Sequence, residues 1–292
     1  MYYIVYGLLY TVSLLPLPVL YLFSDFAFFI MYRVQKYRLD VVMGNLAIAF
    51  PEKTIEERKK IAKDFYLNFT DTFIETIKMI SISKKQLLKR SNCDVDLINE
   101  LIEKGENIHI MAGHQFNWEF ANLVYAMNVK APFVGIYTPV NNPVMERIFF
   151  RMRSRYGTIM ISAKDFSNKM HAVFSKQYIL ALAADQNPGV PARAFWLEFF
   201  GRPAPFASGP GKGAVKHNTA VVFVGFEKVK RGNYHFKATL LTEDGGRHTA
   251  EELTLMYKNV LEETIRQDPS NYLWSHRRWR HEWKDGYNAI IK

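Results

Sequence analysis

Cysteine is almost missing from this chain. Cys93 is the only one among 292 residues, so no disulfide can form within the chain, which suits a reducing compartment. Its neighbours, Ser91-Asn92-Cys93-Asp94, are polar, and no G-x-S-x-G elbow occurs anywhere. A covalent acyl-enzyme therefore has no obvious nucleophile. The glycine-rich stretch 201–213 contains Gly211-Lys212-Gly213 but fails the phosphate-loop pattern. Phe206 stands where the first glycine belongs, and Gly213 replaces the serine or threonine. No G-x-G-x-x-G follows a strand. The eight histidines have no zinc spacing, and His276 and His281 are one residue too far apart to share a helix face. No metal and no cofactor are expected. Internal repeats, low-complexity tracts and long linkers are also missing, so one main domain is the simplest division.

What the chain has in excess is positive charge and aromatic surface. Lys and Arg outnumber Asp and Glu by 38 to 28, which favours polyanionic partners: nucleic acid, an anionic membrane or an acidic carrier protein. Tyr3 to Phe23 is 21 residues without a charge, long enough to cross a bilayer core as a helix. Pro16 and Pro18 should kink it. No positive segment precedes it and no small-residue cleavage site is evident, which argues against a cleaved signal. Arg33, Lys36 and Arg38 follow, placing the remainder in the cytoplasm by the positive-inside rule. The expected division is a membrane anchor at 1–32 and a cytoplasmic domain at 33–292; the alternative is a buried or interfacial hairpin broken at the prolines.

Beyond the anchor, Ile61, Phe65, Phe69, Phe73, Ile77 and Ile80 recur at helical spacing, predicting an amphipathic helix over 55–80. Apolar runs at 108–112, 132–137, 158–162, 178–184, 194–200, 220–226 and 234–241 read as strands. Helical patterns fill 117–129, 143–156, 165–176, 209–217 and 250–267. This alternation predicts an α/β layered sheet.

The first of these runs ends at Gly113 and is followed at once by His114, with Glu119 five positions on. That spacing alone carries nothing, since roughly one His-x4-acid match is expected by chance in a chain of this composition. Placement carries more. Strand-end loops collect catalytic groups in open α/β sheets. Asn117 can cap the next helix, putting Glu119 in its first turn beside His114. A carboxylate there would fix the imidazole tautomer and stabilise its charged form, as in a hydroxyl-activating dyad. Arg151 and Arg155 lie four apart on one helix face, with Arg153 pointing elsewhere. Asp185 and Gln186 close the strand run 178–184, where they would support the site or bind substrate. Between Trp274 and Trp283 aromatics alternate with Arg277, Arg278 and Arg280. Three readings compete for this stretch: an interfacial anchor, a phosphate clamp, or packing that closes the domain. No nucleic-acid signature accompanies it, so nucleic acid is not an expected partner.

His114-x4-Glu119 is similar to the HX4(D/E) motif of lysophospholipid-type acyltransferases, and the chain more specifically resembles the late (secondary) lipid A acyltransferases of Gram-negative bacteria. The resemblance covers most of the chain. It runs from the anchor through Asn45-Leu46, Phe50-Pro51-Glu52, Tyr137-x-Pro139 and Asn142-Pro143 to Arg151, Arg153 and Arg155. It continues with Asp185-Gln186, Phe199-Phe200-Gly201 and Gly209-Pro210, and closes at Tyr272-Leu273-Trp274-x-His276-Arg277-Arg278-Trp279. Lys212 departs from the alanine usual in the family.

The resemblance implies a glycerolipid-acyltransferase-like fold, a mixed and mostly parallel sheet flanked by helices. It implies an inner-membrane enzyme with its catalytic domain on the cytoplasmic side. This enzyme would move a fatty acyl chain from acyl carrier protein to a hydroxyl of a lipid A precursor, bound at an anionic membrane surface. His114 would be the general base and Glu119 its orienting carboxylate. Arg151, Arg155, Asp185, Gln186, Asn117 and Tyr137 would contact substrate. Two rivals stand beside this reading: an acyltransferase for lysophosphatidic acid or a mannosylated phosphatidylinositol, and a basic membrane-bound adaptor without chemistry.

Overall fold

Proline sets the first structural event. Leu15, restricted by Pro16, adopts an extended backbone (ψ 145°), so the N-terminal apolar run is two helices rather than one kinked rod. In this computed structural model, which describes residues 1–292, these are α1 (Tyr2–Leu14) and α2 (Leu17–Phe28), the latter prolonged by a π-helical turn over Phe29–Val34. Leu17–Val34 is long and apolar enough to cross a membrane by length and composition, with a mean hydropathy of 1.5. Its inner face is nevertheless committed to the protein. Leu17, Leu20 and Ser24 are buried, Ser24 donates to Asp71, Tyr21 donates to Glu75, and Asp25 pairs with Arg231.

The chain continues as α3 (Leu39–Ala49), α4 (Ile55–Lys78), α5 (Lys84–Arg90), β1 (Ser91–Cys93), α6 (Asp96–Glu103), β2 (Ile108–Ala112) and α7 (Trp118–Asn128). Next come β3 (Phe133–Tyr137), α8 (Pro143–Arg153), β4 (Ile159–Ser162), α9 (Phe166–Phe174), β5 (Ile179–Ala183), β6 (Phe195–Phe199) and β7 (Arg202–Phe206). The last elements are α10 (Gly209–Lys216), β8 (Ala220–Lys230), β9 (Asn233–Thr242), α11 (Ala250–Gln267) and β10 (Ile290–Ile291). Helix α4 starts where Thr54 and Glu57 form a reciprocal capping box, and α11 does the same with Thr249 and Glu252.

Seven strands form one sheet in the order β1-β9-β8-β2-β5-β3-β4, parallel throughout except for the β8–β9 hairpin. The expected mixed, mostly parallel α/β sheet is therefore present. Alternation along β2 sends Ile108 and Ile110 to one face and Met111 to the other. The first face is covered by α6 and α7, through Ile98, Leu101, Phe120 and Leu123. The second is covered by α4 and α11, through Phe65, Phe69, Leu253, Tyr257 and Leu261. A second, three-stranded sheet (β10-β6-β7) lies outside this frame. The run predicted at 194–200 belongs to that small sheet, and 201–213, read from sequence as a glycine-rich loop, supplies its partner β7.

Candidate active site

Strand register brings the site together. β2 and β5 are parallel neighbours with Ala112 opposite Ala183, so two residues further along each chain His114 and Asp185 meet. His114 Nδ1 lies 2.6 Å from Asp185 Oδ1, and the His114 backbone N–H donates to the same oxygen at 3.1 Å. Asp185 is almost wholly buried, whereas the His114 side chain retains 22% of its exposure. With Nδ1 held, Nε2 is the nitrogen left to face a substrate.

Burial alone would depress the imidazole pKa. The charge and hydrogen bond of Asp185 outweigh it and hold His114 above its ordinary 6.5. Burial would likewise raise the Asp185 carboxyl; His114 and the nearby Arg278 guanidinium outweigh that and hold it down at about 2. The pair is an imidazole hydrogen-bonded to an ionised, buried carboxylate.

The loop carrying His114 is fixed from several directions. A Cβ on Gly113 would meet Leu261 Cδ1 of α11 at 2.5 Å, so any larger residue would require Leu261 to move. Tyr257 donates to the Ala112 carbonyl at 2.9 Å. The His114 carbonyl accepts from Leu273 N–H, and Phe116 N–H donates to Asn271. Asn117 caps α7 as predicted, its Oδ1 accepting from Phe120 N–H, while its Nδ2 donates to the buried Glu75 at 2.8 Å. Asn117 is thus a strut with no contact to the dyad.

Glu119 sits in the first turn of α7, where the sequence put it, but it does not hold His114. Its carboxylate is taken by Arg153, whose Nε lies 3.1 and 3.0 Å from the two oxygens, and by Trp118 Nε1 at 3.3 Å. The expectation that Glu119 orients the imidazole is corrected: Asp185 does so. The reason is geometric, because the Nδ1 position is already filled by the neighbouring strand end. Trp118 stands between the two clusters, its ring 5.8 Å from that of His114 in an edge-on arrangement.

Arg151 and Arg155, expected to contact substrate, are not part of the His114 cluster. They do share a face, but it turns to α1 and α4: Arg151 stacks over Tyr6 at 5.1 Å and Arg155 donates to the Met79 carbonyl at 2.9 Å. Arg153, set aside on helical-face grounds, is the arginine that joins the site. Its guanidinium lies over Phe149 (5.0 Å) and Tyr137 (5.9 Å). Tyr137 in turn donates to Glu146 at 2.7 Å. Gln186 is half-buried beside Asp185, and its amide makes no hydrogen bond within the chain.

The carboxy-terminal motif decides in favour of domain closure. Trp274 and Arg278 are buried, Asn45 Nδ2 donates to the carbonyls of Trp274 and His276, and Arg38 donates to that of Ser275. Arg278 lies over the rings of Phe206 (4.3 Å) and Phe199 (5.4 Å) and donates through Nη1 to Asn187 Oδ1 and the Pro205 carbonyl. Its Nε and Nη2 have no partner. His276 accepts from Asn187 N–H; burial and the Arg278 charge press its pKa down to about 4, so it is neutral in the physiological range. Sequence reasoning named Arg278 and His276 but did not connect them to Asp185.

The sequence pattern of bacterial lipid A biosynthesis acyltransferases matches residues 1–281. The chain belongs to this family. A lipid A biosynthesis palmitoleoyltransferase of Escherichia coli is 23% identical over 254 residues, covering 84% of this chain and 79% of the relative. A lauroyltransferase of the same organism is 23% identical over 276 residues, covering 94% and 89%. A lipid A biosynthesis acyltransferase of Haemophilus influenzae is 23% identical over 236 residues, covering 79% and 72%.

Proposed function

We propose that this protein transfers a fatty acyl chain from acyl carrier protein to a hydroxyl of a lipid A precursor, with His114 as general base. The observation that carries this reading is the His114–Asp185 pair at adjacent strand ends, with Nε2 free. Nε2 removes the acceptor hydroxyl proton and the alkoxide attacks the thioester carbonyl. The tetrahedral intermediate collapses by breaking the C–S bond, and the carrier thiolate leaves, taking the proton back from the imidazolium. Asp185 holds the tautomer and supports the transient positive charge. The pair of Glu119 and Arg153 fixes α8 against α7 beside the site. The Arg278 guanidinium is buried, and its charge helps to hold Asp185 ionised behind the imidazole.

Acyl carrier protein as donor is favoured by the surplus of ten positive charges, because an acidic carrier is steered to a basic surface. Attachment to the cytoplasmic face of the inner membrane rests on the apolar outer faces of α1 and α2, where Ile4, Leu8, Leu14, Leu22, Phe23 and Phe26 are exposed. The polar contacts that α2 makes with Asp71, Glu75 and Arg231 favour helices lying in the interface.

Membranes, acyl carrier protein loaded with defined chains and underacylated lipid A, analysed by mass spectrometry, test the reading. One acyl mass is expected with the wild type, and His114→Ala should slow its appearance by about 10²- to 10⁴-fold. No added mass, or the wild-type rate with His114→Ala, would overturn it.

A further inference from the structure

Helix α8 carries arginines on two opposite sides. Arg153 faces Glu119, whereas Arg147 and Arg151 lie four residues apart on the other side, and Arg155, in the turn after the helix, continues their column. Two residues along a helix is a rotation of about 200°, so this column points away from the reacting centre. It faces α1, whose Tyr2, Tyr6 and Tyr10 stack in a matching ladder with centroids 5.8 and 6.1 Å apart. Arg147 lies over Tyr2 at 4.2 Å and Arg151 over Tyr6 at 5.1 Å. Between the helices is a groove of about 290 Å³, lined by Tyr6, Tyr10, Ile148, Arg151 and Arg155 over Met79. The C-terminal end of α1 is tied down by Lys78, which donates to the carbonyls of Ser13 and Leu15.

None of the three arginines has a carboxylate partner. Asp25, Asp71 and Glu119 serve other cations. Glu146, the acid on α8 itself, accepts from Tyr137 and Val140 N–H. Stacking on tyrosine uses the face of a guanidinium and leaves its edge donors free. Arg155 gives Nη1 to the Met79 carbonyl and Arg151 also bonds Tyr2, and the donors that remain stand beside an uncharged helix whose outer residues Tyr3, Ile4, Leu8 and Leu14 are exposed.

We propose that this groove is a binding site for the phosphate head group of an anionic membrane phospholipid, distinct from the reacting lipid, with the acyl chains of that phospholipid lying along α1. The proposal rests on the membrane reading given above. Charge complementarity and the adjoining apolar surface select the occupant: a phosphodiester accepts from the arginine edges while its chains cover α1. Because α8 also carries Arg153, an occupied groove would brace the helix that holds Glu119.

Flotation with vesicles of pure phosphatidylcholine, and of phosphatidylcholine containing phosphatidylglycerol, separates the claims. Binding to neutral vesicles tests the membrane reading alone, and its absence from both vesicle types would overturn that reading and the proposal together. The wild type should prefer the anionic vesicles, and Arg147→Gln/Arg151→Gln should lower that preference by about tenfold or more while leaving neutral binding unchanged. Arg147→Lys/Arg151→Lys should also lose part of it, since lysine keeps charge but not the fork. Lys104→Gln/Lys130→Gln, which removes two charges at the other end of the strands, should lose little. Equal losses in the arginine and lysine pairs, or none in the arginine pair, would overturn the proposal. Soluble short-chain phosphatidylglycerol should raise the wild-type melting temperature, and inorganic phosphate at equal ionic strength should not; protection by phosphate alone would also overturn it.

Discussion

In the proposed mechanism Asp185 directs the part-buried His114 as a base, and its effect can be read as a pH profile. Only neutral His114 can take a proton, and the Asp185 charge holds the imidazole pKa above 6.5. Activity should therefore fall as pH drops through a break lying above 6.5. Asp185→Asn removes the charge and leaves the burial, so the break should move to lower pH while the rate falls by about 10²- to 10⁴-fold. A pH series of kcat/KM for the two proteins checks both parts, and an unmoved break would refute the coupling. The sequence disclosed His114 at a strand end and Asp185 at another, but not that they touch. They are 71 residues apart, and only the β2–β5 register makes them neighbours. Glu119 was the nearer acid by count, and proximity along the chain misled because a parallel sheet pairs residues through crossovers.

Elements were legible where burial was strong and obscure where it was weak. The long apolar runs predicted all seven strands from β2 to β9 other than β7, which reads Arg-Pro-Ala-Pro-Phe. Two prolines argue against a strand, yet β7 pairs only with β6 and lies at a sheet edge, where missing donors do no harm. β1, with three residues, and β10, with two, gave no periodic signal. Among helices, α7 and α8 are joined by the pair of Glu119 with Arg153, whose side chains are 5% and 17% exposed. Arg153→Ala would leave a buried carboxylate without its counter-charge, with only Trp118 Nε1 as donor, at a cost of about 3–5 kcal/mol. Thermal melting should show that loss. Glu119→Gln/Arg153→Met should recover much of the stability, and an equally unstable double variant would mean that the pair is not what holds α8.

At the scale of the whole molecule, the N-terminal helices differ in how deeply they are built in. Deleting residues 2–15 removes α1 and its arginine-stacked tyrosines, and the remainder should still melt cooperatively while binding vesicles less. Deleting residues 2–28 also removes Tyr21 and Ser24, leaving Glu75 and Asp71 each short of a buried donor, at about 1–3 kcal/mol apiece. Its melting temperature should be clearly lower than that of the shorter deletion; equal temperatures would show that α2 contributes nothing to the fold. Composition foretold the apolar N-terminus, but not its docking, because Tyr21, Ser24 and Asp25 find partners on α4 and β8–β9 that no local pattern reveals. The opposite terminus has a bearing on synthesis. Leu273 and Asn271 hold the backbone on either side of Gln115, and Arg278 lies close to Asp185, so the loop that carries His114 is finished by residues near the end of the chain. A nascent chain is thus expected to remain without transferase chemistry until translation is nearly complete.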